Sequence, residues 1–580
     1  MAALFSLVSL GASGNVDPPV APPAEDGWAS ERFSELASAQ LGRLAQALET
    51  GLLPPVLAAS LFTGSPTCRM QLPPLETVVE DRSLLVRKMP DSSAAESLPF
   101  AAWVDSPDSP FRALSDAHAK FKLFETGFAD PARPSTRQYF TLAGRSPEGY
   151  REQNATWTAE WLWNAHEDAP PRIAALRLDA YEEVLIPSAD ARPLFRDAAH
   201  EVIGPSPVYR NQLRYGNDYW RQRIELFNRF FKFGHQGLAI GDANGDGLED
   251  LYVCQNGGLP NRLFLQNPDG TAEDHAAAAG VDLLDLTRSA LFVDLDNDGD
   301  QDLVLALDTG LVAFRNDGHG RFDPKLRYPK VRNAFGLTAA DYDNDGDLDL
   351  FVCRYFANAE EGAGLAVPVP YFDANNGGGN FLIRNDGPSA NPDDWLDFSD
   401  ATLESGIETQ NNRRFSFAAV WEDLDNDGDL DLFVANDFGL KNLSVNEDGK
   451  FRDAALPAGV DDGGFGMSAA AADFDRDGIP DLYAGNMFSA AGSRVTRQPQ
   501  FRPGLDPALL TRFQRMARGN SLFRGIGGAG APRYADVSES AGVTVGRWSW
   551  GCIFADLNND GWQDLVVANG FVSGSVPDDL

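Results

Sequence analysis

The chain has 580 residues, 43% of them apolar and 11% aromatic, a balance that suits a soluble globular protein of two or three domains with a sizeable core and excludes intrinsic disorder as the ground state. Its 85 acidic residues stand against 48 basic ones, a formal net charge of -37. That charge argues against binding nucleic acid, whose backbone needs a basic face, and favours divalent cations or basic partners.

Residues 1–27 read as a possible signal segment followed by a Pro-rich linker. Ala2 to Leu10 form a short apolar run without a basic start, which fits a secretory signal, a late start site or a frayed terminus equally. No run reaches the 18 or so apolar residues that a membrane-spanning helix requires. Residues 28–205 form a second segment. Phe33, Leu36, Leu41, Leu44 and Leu48 recur at helical spacing up to Gly51, which predicts a helix over 28–50. Alternating segments then predict antiparallel strands at Lys120 to Phe124, Arg137 to Leu142, Gln153 to Trp163 and Arg172 to Val184. Trp157, Ala159, Trp161 and Trp163 share one parity, so they point to one face, either an aromatic core or an open platform for a flat ligand.

Residues 206–580 repeat a nine-residue acidic loop six times, each loop lying between two apolar strands. Position 1 is Asp242, Asp294, Asp341, Asp423, Asp473 and Asp556; position 3 is Asn244, Asp296, Asp343, Asp425, Asp475 and Asn558. Position 5 is Asp246, Asp298, Asp345, Asp427, Asp477 and Asp560; position 9 is Asp250, Asp302, Asp349, Asp431, Asp481 and Asp564. Position 6 is glycine throughout, and position 7 varies freely as Leu248, Asp300, Asp347, Asp429, Ile479 and Trp562. Oxygen-bearing side chains at alternate positions, a glycine for the sharp turn and a free position that offers only its carbonyl are what Ca2+ needs, with six to eight oxygen ligands in irregular geometry. These residues are therefore the expected ligands of up to six Ca2+ ions, the last Asp able to bind through both oxygens. Strands flank the loops where an EF-hand would have helices, and Mg2+ prefers fewer protein ligands in stricter geometry. The six loops hold 26 of the 85 acidic residues, so six divalent ions would take the formal charge to about -25 and relieve a repulsion that opposes compaction.

Two further short strands follow each loop pair, such as Asn261-Arg-Leu-Phe-Leu265 and Gly320-Arg-Phe322. Four strands per repeat predict propeller blades. The fold class is thus mainly β: a calcium-loop β-propeller with six recognisable blades and six or seven in the ring, the last blade incomplete, preceded by a smaller α+β module. Insertions at Phe356 to Gly379 and Ser489 to Gly519, the second partly helical, are where specificity is expected. Residues 208–233, with Ile224-Glu-Leu-Phe227 and Arg229-Phe-Phe231, could close the ring from the other end. Cys254 and Cys353 occupy equivalent strand positions and read as core residues, since four scattered cysteines (Cys68, Cys254, Cys353 and Cys552) make neither a disulfide framework nor a CxxC zinc site.

The pattern D-x-[DN]-x-D-G-x-x-D, coupled to N-x-L-F-x-N and a short element such as Phe451-Arg-Asp453, resembles the FG-GAP and VCBS repeats of integrin alpha-chain propellers and many secreted bacterial proteins. Asn261-Arg-Leu-Phe-Leu265 and Ala568-Asn-Gly570 are similar to the branch that includes cartilage acidic protein and bacterial relatives carrying an ASPIC/UnbV segment. The resemblance covers roughly residues 235–572. It implies a secreted, periplasmic or cell-surface calcium-binding scaffold for adhesion or recognition of a protein or glycan ligand. Within the 580 residues no ASPIC/UnbV segment occurs, and residues 28–205 lie outside the resemblance. The alternatives are a calcium-dependent polysaccharide lyase or hydrolase, or a structural assembly module. Neither HExxH nor Gly-x-Ser-x-Gly is present, and His235 is the one histidine placed for chemistry.

Overall fold

In the computed structural model the chain divides into two compact units, Met1–Arg196 with Ser489–Gln514, and Asp197–Phe488 with Arg515–Leu580. The structure describes residues 28–570 except 70–73, 81–83, 91–96, most of 101–113, and 165–168, 188–194, 217–218, 221, 225–236, 358–366, 392–393, 408–411 and 528–530. The signal segment, His235 and, of the stretch expected to close the ring, residues 217–218, 221 and 225–233 lie outside the described residues.

The first unit is built on an antiparallel meander, Ser115–Gly127, Ser135–Ser146, Gly149–Leu162 and Arg172–Pro187, each strand pairing with the next. Helix α1 (Ala29–Glu49) turns one apolar stripe inward, with Phe33, Leu41, Leu44 and Leu48 fully buried. The Trp parity reads correctly as a face, and that face is core. Trp157 and Trp161 are buried, the Trp161 indole donates to Thr136 Oγ1 at 2.8 Å, and Phe33 meets the Trp161 ring edge-on at 6.0 Å. An open aromatic platform is ruled out, because rings of this size contribute about 2–3 kcal/mol each when covered, as they are here.

Most of the second insertion, Ser489–Gln514, belongs to this first unit. Helix α2 (Ala490–Thr496) begins at Ser489, whose hydroxyl accepts the Gly492 N–H at 3.0 Å. It presents Arg494, which grips both oxygens of Glu31, with Nη2–Oε2 at 2.7 Å and Nε–Oε1 at 3.1 Å. Gln498 adds a bond to Glu31 Oε1 at 2.6 Å and accepts one from Ser30.

The second unit is a row of antiparallel sheets. The first comprises Leu238–Gly241, Asp250–Val253, Arg262–Gln266 and Ala272–Asp274; the second Thr287–Val293, Asp302–Leu307, Gly310–Asn316 and Phe322–Tyr328. The third comprises Ala334–Ala340, Asp349–Arg354, Phe381–Pro388 and Leu396–Asp400; the fourth Ser416–Glu422, Asp431–Asn436, Asn442–Glu447 and Lys450–Asp453. The fifth comprises Gly466–Ala472, Asp481–Asn486, Ser521–Gly525 and Tyr534–Asp536, and a hairpin of Ser549–Ala555 and Asp564–Asn569 follows. The sixth repeat is thus two-stranded among the described residues.

Within each sheet the loop joins the first two strands, whose register places Ala340 opposite Asp349 and Leu337 opposite Val352. Second strands such as Asp302–Leu307 and Asp349–Arg354 are buried on both faces, which is why they read as continuous apolar runs. Their side chains interdigitate between neighbouring sheets: Val293, Val304 and Ala306 of the second pack with Leu350, Val352 and Ile383 of the third. Cys254 and Cys353 are buried and free, as core residues should be.

Candidate metal centres in the repeat loops

Each loop is wound on its own carboxylates. The position 1 Asp receives two backbone amides: in the third loop Asp345 N–H donates to Asp341 Oδ1 and Gly346 N–H to Asp341 Oδ2, both at 3.0 Å. The position 5 Asp receives the position 7 amide, as Asp347 N–H to Asp345 Oδ1 at 3.0 Å. The same bonds recur in the first and sixth loops, for example Gly247 N–H to Asp242 Oδ2 and Gly561 N–H to Asp556 Oδ2, each at 2.8 Å. The turn needs left-handed backbone at position 6, where Gly346 has φ 94°, and also at position 4.

Position 9 is a structural latch. Asp349 is fully buried; its Oδ2 accepts Tyr342 N–H at 3.2 Å and its Oδ1 accepts Asn385 N–H at 2.8 Å, tying the loop to the third strand of its sheet. Asp250, Asp302, Asp431 and Asp481 repeat both bonds. Burial, followed by the charges of the other loop acids, pushes Asp302 and Asp431 up to about 7, Asp349 to about 8 and Asp481 to about 6, against the two amide bonds that lower each.

The remaining acids converge. In four loops, Asp294/Asp296/Asp302, Asp341/Asp343/Asp349, Asp423/Asp425/Asp427 and Asp473/Asp475/Asp481, three carboxylates bring oxygens within 4.8 Å of one another. At that separation each like-charged pair costs roughly 3 kcal/mol for an effective dielectric of about 20. The position 3 oxygens Oδ1 of Asp296, Asp343, Asp425 and Asp475 are buried and accept no hydrogen bond. A buried carboxylate oxygen without a donor is costly, and four at the same place in four repeats fit a common cation. The donors are all oxygens, the set that a hard divalent ion takes and that zinc, with its His and Cys ligands, does not need. In the first and sixth loops the position 3 residue is Asn, whose Oδ1 instead accepts the position 5 amide, Asp246 N–H to Asn244 at 3.1 Å and Asp560 N–H to Asn558 at 3.0 Å.

Two further residue positions do work that the sequence pattern alone did not assign. Position 4, in left-handed backbone, reaches the next loop: Asn297 Nδ2 donates to Asp347 Oδ1 at 2.9 Å, Asn344 Nδ2 to Asp429 Oδ1 at 2.8 Å, and the Arg476 guanidinium lies 5.1 Å above the Trp562 ring. The variable position 7 side chain is therefore the acceptor for a neighbouring repeat wherever it is Asp347 or Asp429. The recurrence of Asn at position 4, as Asn297, Asn344, Asn426 and Asn559, a residue that tolerates left-handed backbone, was the available signal. The third strand supplies a second staple, because Asn316, Asn385 and Asn446 donate to the position 2 carbonyls of the preceding loop, Ala243, Leu295 and Tyr342, at 2.9, 2.9 and 2.7 Å.

These features define a repeat protein in which each sheet opens on an oxygen-lined loop stapled to its neighbours. The FG-GAP-like repeat family matches residues 242–305, 294–352 and 423–484, so these residues carry FG-GAP-like repeats. It is similar to Cartilage acidic protein 1 of Xenopus tropicalis, 31% identical over 127 residues, and of Homo sapiens, 33% over 128 residues. Each alignment covers 20% of this chain and 19% of the length of the curated relative. Among solved structures, an Agrocybe aegerita protein described as specifically recognising non-reducing terminal N-acetylglucosamine is similar at 16% identity, covering 57% of this chain and 73% of that one with a TM-score of 0.32. None of the described helices is long and apolar enough to cross a membrane.

Proposed function

We propose that the acidic loops bind Ca2+ and that the row of sheets is a β-propeller acting as an extracellular or periplasmic scaffold for recognition of a protein or glycan ligand. The observation that carries the metal reading is the set of buried, donor-less Oδ1 atoms at position 3, each within a group of converging carboxylates. The ligands in this reading are the residues at positions 1, 3, 5 and 9, with position 7 through its carbonyl. Curvature of the row is supported by the Phe417 ring of the fourth sheet, which lies 6.1 Å from Trp550 of the terminal hairpin, skipping the fifth sheet. Loops near the solvent suit the calcium levels outside cells, where modules binding at 10⁻⁴–10⁻³ M are filled. The similarity to Cartilage acidic protein 1 agrees with that location.

Calorimetry of the full chain tests the metal reading. With calcium replaced by excess chelator the melting temperature falls by more than about 10 °C, since each site filled at 100 times its Kd contributes about 2.7 kcal/mol. An unchanged melting temperature refutes calcium binding.

A further inference from the structure

We infer that the repeats contain two classes of cation site, and that Arg315 and Arg524 create the weaker class by acting as built-in counter-ions to the second and fifth loops. The inference rests on the calcium reading above and concerns how tightly particular loops hold the ion.

The comparison is controlled by the sequence itself. The second loop, Asp294 to Asp302, and the fourth, Asp423 to Asp431, are identical at all positions but the eighth, where Gln301 replaces Leu430. Differences in affinity between them must come from what surrounds them. Strand register supplies one such difference. The residue just before the one whose amide meets the position 9 Asp is Leu265, Arg315, Arg384, Val445 and Arg524 in the five sheets. Arg315 lies across its loop, Nε 2.9 Å from Asp296 Oδ2 and Nη2 2.9 Å from Asp298 Oδ2. Arg524 repeats the placement, Nε 2.5 Å from Asp475 Oδ2 and Nη2 3.4 Å from Asp477 Oδ2. In the fourth sheet the same position is Val445, buried in the core.

In both cases the guanidinium holds the outer oxygen, Oδ2, of the position 3 carboxylate whose inner Oδ1 is the buried atom without a donor. The Arg therefore does two things at once. It offsets the mutual repulsion of the loop acids when calcium is scarce, and its positive charge opposes a 2+ ion arriving on the far side of the same carboxylate. The second and fifth loops keep their shape without the ion and bind it less tightly; the fourth loop needs the ion more and binds it more tightly. Arg384 is an intermediate case. Its guanidinium bonds Asp386 (2.7 Å) and Glu404 (2.9 Å) and acts on Asp343 of its loop only across space, without an ion pair to it.

The test is calcium titration of the chelator-stripped full chain in competition with a chromophoric chelator, paired with melting curves in excess chelator. In R315L/R524L each Arg becomes the residue that the first repeat carries at that position. These side chains are nearly half exposed and screened by solvent, so the expected gain in affinity at the weaker class is modest, roughly 1.4- to 5-fold, with a lowered melting temperature in chelator. R384L, which breaks no ion pair to a loop carboxylate, raises affinity less than R315L/R524L does. Weaker or unchanged binding by R315L/R524L overturns the inference and makes the two Arg residues ligand-orienting or idle. Absence of calcium uptake by the unmodified protein removes the calcium reading itself, and this inference with it.

Discussion

At the scale of single residues, the loops separate two roles that look alike in sequence. All the acids at positions 1, 3, 5 and 9 belong to one pattern, yet position 9 already spends one lone pair of each oxygen on backbone amides, while position 3 in four loops has an inner oxygen with no donor. The Asn staple is a third role. Asn446, itself buried, donates to Tyr342 O and to the part-buried Leu430 O and accepts from Gly449 N–H at 2.9 Å. Asn446→Ala is expected to cost about 2–3 kcal/mol, because three hydrogen bonds are lost and the Tyr342 carbonyl is left buried without this donor. Urea unfolding in saturating calcium measures it, and a loss under about 0.5 kcal/mol would show that the staple is redundant. The loop chemistry was legible in sequence because every ligand position lies within nine residues. Asn316, Asn385 and Asn446 were not, because their partners are fixed by strand register with a repeat 73 to 104 residues earlier in the chain.

At the scale of elements, helix α1 and the four strands of the meander were readable from periodicity, though each strand proved longer than its alternating stretch; for Gln153 to Trp163, for example, the strand is Gly149–Leu162, starting four residues earlier and ending one earlier. The ends extend because cross-strand pairing, which a single strand does not display, continues through polar residues such as Arg151 and Glu152. In the second insertion the sequence marks a helix at Leu509 to Met516, which lies within the helix Pro507–Arg518; helix α2 was not legible, and its anchor, Glu31, lies 463 residues away. The Glu31 and Arg494 side chains are largely buried and share two charge-assisted bonds, so Arg494→Ala leaves a carboxylate short of donors. The expected cost is about 2–3 kcal/mol to the first unit. Limited proteolysis between Arg497 and Asp506 reads it out, the variant being cut at least several-fold faster than the parent; equal rates would mean that α2 is held by its apolar contacts alone.

At the scale of the whole molecule, the position 9 carboxylates couple stability to pH in a direction set by the cation. Without calcium, Asp302, Asp349, Asp431 and Asp481 titrate between about 6 and 8, well above their unfolded value of 3.8. Between about pH 4 and 8 the folded chain then binds more protons than the unfolded one, so stability falls as pH rises. Melting temperatures in excess chelator should decline from pH 5 to pH 8. With saturating calcium the decline should flatten or reverse, since the ion replaces the protons and binds more tightly as they leave. Parallel slopes in the two conditions would show that these carboxylates do not sense the ion.

The return of Ser489–Gln514 to the first unit also fixes an order of assembly. A chain made from its N-terminus at about 5–20 residues per second exposes α1 and the whole meander long before α2 leaves the ribosome. During that interval, on the order of tens of seconds, Glu31 waits for Arg494 while the sheets of the second unit emerge one after another and can pair as they come. The module that is first in sequence is finished only once Arg494 has been made, and until then its carboxylate stays open to other basic groups.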